Sequence, residues 1–165
     1  MAFPQYRFFS PRLALSVSLL LLLTIAIPLS AQAGDSKPDD DSAAALNKII
    51  HDYIALYTRA TLEEWKTLFH PALSVAHPAD DGAIRVRNLE EFFAAQKGYF
   101  ETGRAIGERL ENVRIHPGRR IARVTADFVF VDEGEARRGA LGLHLAEGPD
   151  GWKIVAILFS YDQPR

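Results

Sequence analysis

The stretch Gly151-Trp152-Lys153-Ile154-Val155-Ala156-Ile157-Leu158-Phe159-Ser160-Tyr161-Asp162 decides the fold. It follows a turn signal, Pro149-Asp150-Gly151, and is apolar and β-prone at almost every position. A strand that alternates apolar and polar residues has one wet face, whereas a run apolar at both parities is expected to be covered on both. The last element is therefore expected to be an interior strand, with earlier helices helping to cover it.

Upstream lie three more strands: Arg109 to His116, closed by Pro117-Gly118, then Ile121 to Asp132, then Glu135 to Ala146. The turn signals between them are short, which predicts an antiparallel meander whose last strand pairs with Glu135 to Ala146. Pairing Asp132 with Glu135 across Glu133-Gly134 puts Val124, Ala126, Phe128 and Phe130 on one face with Leu141, Leu143 and Leu145. A four-residue loop keeps this grouping and a three-residue loop breaks it, because a slip of one residue sends every side chain to the other face.

Ahead of the strands the apolar period changes. Leu46, Ile49, Ile50, Tyr53, Ile54 and Tyr57 form one helical stripe. Thr61-Leu62-Glu63-Glu64 and Asn88-Leu89-Glu90-Glu91 have the form of capping boxes. They predict a second helix that buries Leu62, Trp65, Leu68 and Phe69 and ends at Pro71. They also predict a third that starts at Leu89, carries Phe92, Phe93, Tyr99 and Phe100, and weakens at Gly98, Gly103 and Gly107. Short strands at Ala72 to Ala76 and Ala83 to Arg87 flank a loop over 77–82. Helices first and strands last is an α+β order, expected as a single domain over residues 43–165.

Residues 1–33 read as a secretory signal peptide: Arg7 and Arg12, an apolar run from Leu13 to Leu29, and Ala31-Gln32-Ala33 before Gly34. The other reading is a retained anchor, since that run of 17 residues approaches the length of a membrane span. Residues 34–42 are polar and acidic and read as a disordered lead-in. Beyond the leader remain 17 basic and 21 acidic residues, a net charge of −4, which offers no footing for nucleic acid or for an anionic membrane surface. The chain has no cysteine, so an exported form rests on its apolar core without disulfides. The expected location is periplasmic or secreted.

No phosphate loop, dinucleotide fingerprint, nucleophile elbow or metal-ligand spacing is present, so no metal or cofactor is expected. The second face of the meander holds Arg123, Thr125, Asp127, Val129 and Val131, with Arg138, Ala140, Gly142 and His144. One reading makes this face solvated or a subunit interface. The other makes Asp127 a carboxylate of raised pKa at a partly dry cavity, with His144 as its proton partner. Tyr57, Trp65 and His77 are candidates for the rest of the lining, Tyr53 and the others having polar tips that suit a cavity as well as a core.

The passage Trp65-Lys66-Thr67-Leu68-Phe69-His70-Pro71-Ala72, the helix opening Asn88-Leu89-Glu90-Glu91-Phe92 and the strand Gly151-Trp152-Lys153-Ile154-Val155 occur here in one order. In that order they resemble the nuclear transport factor 2-like superfamily, in its polyketide-cyclase-like (SnoaL-like) and lumazine-binding-like branches. The resemblance spans Ala43 to Tyr161. It implies a cone-shaped α+β fold with a pocket between helices and a curved sheet, and often a homodimer through the sheet. Members include dehydratases, isomerases, cyclases, hydrolases and non-catalytic binders, so it implies no single activity. Three functions follow as expectations. The first is an exported binder of a small organic ligand that performs no reaction, its pocket drawn from Tyr57, Trp65, His77, Asp127 and His144. The second is an acid-base lyase or isomerase using Asp127 and His144. The third is a non-catalytic dimeric module.

Overall fold

The computed structural model describes residues 40–162. Their order is α1 (Asp40–Ala55), α2 (Leu62–Lys66), β1 (Phe69–Pro78), β2 (Ile84–Arg87), α3 (Leu89–Glu101), β3 (Ile106–Pro117), β4 (Ile121–Asp132), β5 (Glu135–Gly148) and β6 (Gly151–Tyr161). The stretch expected to be a signal peptide, with its expected cleavage site, and residues 34–39 of the expected lead-in lie outside the described residues. Residues 40–42, assigned to the lead-in from sequence, belong to the first turn of α1, where a carboxylate such as Asp41 suits the helix dipole.

The six strands form one curved, unclosed sheet in the order β2-β1-β6-β5-β4-β3. β3 to β6 are the expected antiparallel meander. β1 runs parallel to β6, pairing Val75 with Ile157. The Leu68 carbonyl accepts from the Ile154 amide at 3.0 Å, and the Lys153 ammonium donates to the Thr67 carbonyl at 2.6 Å, which fixes the start of β6 against the end of the α2 segment. The helices cover one face. Leu46, Tyr53, Trp65, Phe69 and Phe92 join Val124, Leu143, Leu145, Ile154 and Ile157 in one buried cluster.

The closing strand is not covered on both faces. Trp152, Ile154 and Ile157 are buried, but Leu158 is 50% exposed. β5 pairs Leu145 with Ile154 and then His144 with Ala156, so Val155 has no partner there. The parallel pairing with β1 also skips it. Val155 is thus the extra residue of a β-bulge. Before it the even residues face the helices, and after it the odd ones do. Apolar residues at both parities record this switch of face.

The β4–β5 register is the expected one, with Asp132 opposite Glu135 and Val124 opposite Leu143. Both loop residues have positive φ, 51° at Glu133 and 89° at Gly134, as a type I′ turn requires. The capping box at Asn88 forms: its side chain accepts from the Glu91 amide at 3.0 Å, and Glu91 accepts from the Asn88 amide at 3.0 Å. With that start, α3 passes Gly98 and extends to Glu101, stopping before Gly103 at φ 80°. The box expected at Thr61 does not form. Its hydroxyl donates instead to the Leu56 carbonyl at 2.9 Å, and α2 is only 5 residues long.

Gly139 is the tightest point of the sheet. A Cβ there would stand 2.1 Å from the Ser160 carbonyl oxygen and 2.5 Å from the Phe128 ring, which lies across it. Gly139→Ala is expected to lower stability by about 2–3 kcal/mol in urea unfolding, because neither backbone nor ring can retreat freely. Glu133→Asn is expected to raise it by about 0.5–1 kcal/mol, since Asn accepts the left-handed conformation more readily.

Candidate functional site

Between the helices and the inner face of the sheet lies a cavity of about 280 Å³, near the lower end of the roughly 300–1,000 Å³ range of small-molecule sites. Its walls are aromatic: Tyr53 on α1 and Tyr57 just beyond it, Trp65 on α2, Phe92 and Tyr99 on α3, Phe128 and Phe130 on β4, and Phe159 and Tyr161 on β6. Five polar side chains besides the tyrosines reach it from the sheet and its loops: His77, Asp80, Arg87, Glu108 and Arg137. Gln96 reaches it from α3.

Glu108 is the chemically distinctive group. On β3 it shares a face with Ile106 and Leu110 and stands opposite Phe130 of β4. The residue keeps some accessible surface because it opens onto the cavity, but protein surrounds its carboxyl on the other sides. Burial pushes its pKa from the ordinary 4.5 up to about 7, against a smaller downward pull from the hydrogen-bonding Tyr53 hydroxyl. Near neutral pH the group exists in both forms, which suits a proton carrier.

The tyrosines stay protonated. Burial raises the pKa of Tyr53 and Tyr57, and the neighbouring Glu108 charge adds to the rise in both. Tyr57 donates its hydroxyl to Gln96 Oε1 at 2.5 Å. Burial also raises Tyr161, opposed by Arg137. The Arg137 guanidinium sits 4.3 Å from the Tyr161 ring centroid and 5.5 Å from that of Phe130.

Of the sequence-chosen residues, Tyr57, Trp65 and His77 line this cavity. Trp65 supplies wall rather than a polar tip: it is 1% exposed, and its indole N–H donates to the Tyr53 carbonyl at 2.8 Å. His77 stacks on Phe159 with ring centroids 4.7 Å apart. Its Nδ1 lies 3.1 Å from the Pro78 carbonyl, so the tautomer that donates there leaves Nε2 as an acceptor. That Nε2 is buried and has no partner among the described residues. His70 is not part of the site; its Nδ1 accepts from the Ala72 amide at 3.1 Å in a local turn.

Asp127 and His144 are not in the cone. Both are exposed on the other face of the sheet. Asp127 pairs with Ala140, four residues from His144 along β5, a separation of about 13 Å at the usual strand rise. The acid-base pair expected of them is therefore not assembled. Asp127 accepts from Asn112 Nδ2 at 2.6 Å. It lines an open groove of about 720 Å³ with Thr125, Gly142 and Leu158. The parity argument grouped these residues correctly; it could not tell which face the helices cover. The sequence reading misses Glu108 because it starts this strand at Arg109, three residues after its true start at Ile106. The signal was a carboxylate alternating with Ile106 and Leu110.

A family model described as a SnoaL-like domain matches residues 46–163. No curated protein is similar enough to match the chain. Among solved structures, a candidate dehydratase of the nuclear transport factor 2-like family from Streptomyces avermitilis is similar with TM-score 0.63 and 16% identity, over 76% of this chain and 99% of that one. A nuclear transport factor 2-like protein of unknown function from Shewanella baltica OS155 gives TM-score 0.59 and 12% identity, over 75% and 96%. A candidate scytalone dehydratase from Novosphingobium aromaticivorans gives TM-score 0.60 and 15% identity, over 74% and 85%.

A carboxyl whose pKa rises on folding binds its proton more tightly in the native state, so it costs stability as pH rises from its unfolded to its folded value. For Glu108 that window runs from 4.5 to about 7. In urea unfolding the wild type is expected to lose stability across it and then level off. Glu108→Gln is expected to lack this component and to be more stable than wild type at pH 8 by on the order of 2–3 kcal/mol.

Proposed function

Because the chain belongs to the SnoaL-like domain family of the nuclear transport factor 2-like superfamily, we propose that it binds a small organic molecule in the cone and exchanges a proton with it through Glu108, as a cofactor-independent lyase or isomerase. The observation that carries this reading is the Glu108 carboxyl, held near neutral pKa at the wall of an aromatic cavity. As carboxylate it takes a proton from carbon next to a carbonyl group. As carboxylic acid it returns that proton to another carbon, which is isomerisation, or to a departing hydroxyl that leaves as water, which is dehydration. Once Glu108 has taken the proton, the Tyr53 hydroxyl that donated to its carboxylate turns to the enolate oxygen formed between the two steps. The dehydratase descriptions carried by two structural relatives agree with this class. Binding without reaction is the second reading, favoured by walls that are mostly plain aromatic surface.

Export and dimerisation complete the proposal. The leader supports processing before Gly34. An apolar row on the open sheet face, Val86 of β2, Ala76 of β1 and Leu158 of β6, supports a sheet-to-sheet homodimer, with Val86 63% and Leu158 50% exposed.

Native mass spectrometry of protein purified from its own host is expected to show a mature chain beginning at Gly34 and a co-purifying small molecule. That molecule, incubated with wild type in deuterated buffer, is expected to gain carbon-bound deuterium, with a rate about 100-fold or more lower in Glu108→Gln. Retention of the molecule with no exchange by the wild type rejects the reaction and leaves the binder. Sedimentation as a monomer rejects the dimer.

A further inference from the structure

Three residues stand in one row across the inner face of the sheet. Glu108 on β3 pairs with Phe130 on β4, and Phe130 pairs with Arg137 on β5. All three line the cone. At the usual spacing of neighbouring strands the backbone positions of Glu108 and Arg137 are about 10 Å apart. The row therefore offers a carboxyl at one end, an aromatic floor in the middle and a guanidinium at the other end, at the mouth, where Arg137 is exposed.

The guanidinium is oriented but not neutralised. It lies over the Tyr161 and Phe130 rings and approaches the Tyr161 hydroxyl at 3.5 Å. Among the described residues it makes no ion pair with a carboxylate, whereas neighbouring Arg138 is paired with Glu111 at 2.9 Å. Arg87 at the same cavity is also without an ion pair among the described residues. The carboxyls that line the cavity are Asp80 and Glu108, and neither pairs with either arginine. Stacking on two rings leaves the N–H edge of a guanidinium open for a planar anion.

We propose that Arg137 anchors an anionic group, a carboxylate or an enolate-like oxygen pair, on a planar ring ligand that lies over Phe130 with its other end at Glu108. This rests on the reading of the cone as the ligand site. The buried Nε2 of His77 adds an acceptor, so the ligand class is a planar conjugated acid bearing a hydroxyl or N–H donor. At the mouth the anion stays partly hydrated, so the contact selects by charge without a large desolvation cost, and salt weakens it.

The test uses two probes of one shape, 2-naphthoate and 2-naphthamide, titrated calorimetrically into the purified full domain at pH 6 and low salt. The wild type is expected to bind naphthoate about tenfold or more tightly than the amide, the difference a charge-assisted pair supplies. Arg137→Gln is expected to bring the two within about twofold by weakening naphthoate alone, and Arg137→Lys to keep part of the preference. An unchanged circular dichroism spectrum certifies both folds. Equal binding of the two probes to wild type, or a preference that survives in Arg137→Gln, overturns the anchor and leaves the cone as a ligand site. Failure of both probes to bind overturns the cone as a ring-binding site, and the anchor with it.

Discussion

Val155 has no partner on either strand beside it, and that one unpaired residue sets which side chains the rest of the structure can use. Because strand residues alternate faces, an extra residue moves every later side chain to the other side. Trp152 and Ile154 enter the core before it, and Ile157, Phe159 and Tyr161 reach the cone after it. Without the bulge, Leu158 and Ser160 would replace Phe159 and Tyr161 on the cavity wall. His77 would lose the ring it stacks on, and Arg137 would lose one of the two rings that orient it. A second bulge acts on the edge strand β3. Two residues of β3, Asn112 and Val113, lie between the Glu111–Asp127 and Arg114–Thr125 pairs, and Asn112 takes φ 53°. Bulges of this kind increase local twist, and the sheet curves into a cone between them.

The cone then creates a conflict at Glu108. An aromatic cavity favours neutral groups, and a carboxyl placed in its wall loses solvent that Tyr53 only partly replaces. A core optimised for stability alone would carry an apolar residue there, as Ile106 and Leu110 do on either side. Placing an ionisable group where it costs stability is a common mark of a working site. The same holds for the unpartnered His77 Nε2. By contrast, Asp127 rests in a hydrogen bond with Asn112 on a wet surface.

Much of the fold was legible before any coordinates. A two- or four-residue loop at Glu133-Gly134 implies the β4–β5 register that the structure shows, and the two-residue turn is the one formed, with positive φ at both positions. The Asn88 box placed the start of α3. The misread Thr61 box shows the limit of such signals: the right residues are present, but the backbone there runs as a tight turn after α1, and the hydroxyl finds the Leu56 carbonyl first. The site was less legible. Tyr57, Trp65 and His77 were named from residue type and position, and all three meet at the cavity. Asp127 and His144 were chosen from the correct grouping of residues and the wrong side of the sheet.

By itself, then, the sequence determined the local elements, the antiparallel pairing of the last four strands and the family to which the chain belongs, since turn chemistry, capping and apolar period act over a few residues. Only the tertiary structure decided which sheet face the helices cover, that β1 runs parallel to β6, and that Glu108, Phe130 and Arg137 stand in one row. Those facts depend on contacts between residues far apart in the chain and on single unpaired residues that reverse a strand's faces. A period-2 pattern marks two faces as different but cannot say which of them will be dry.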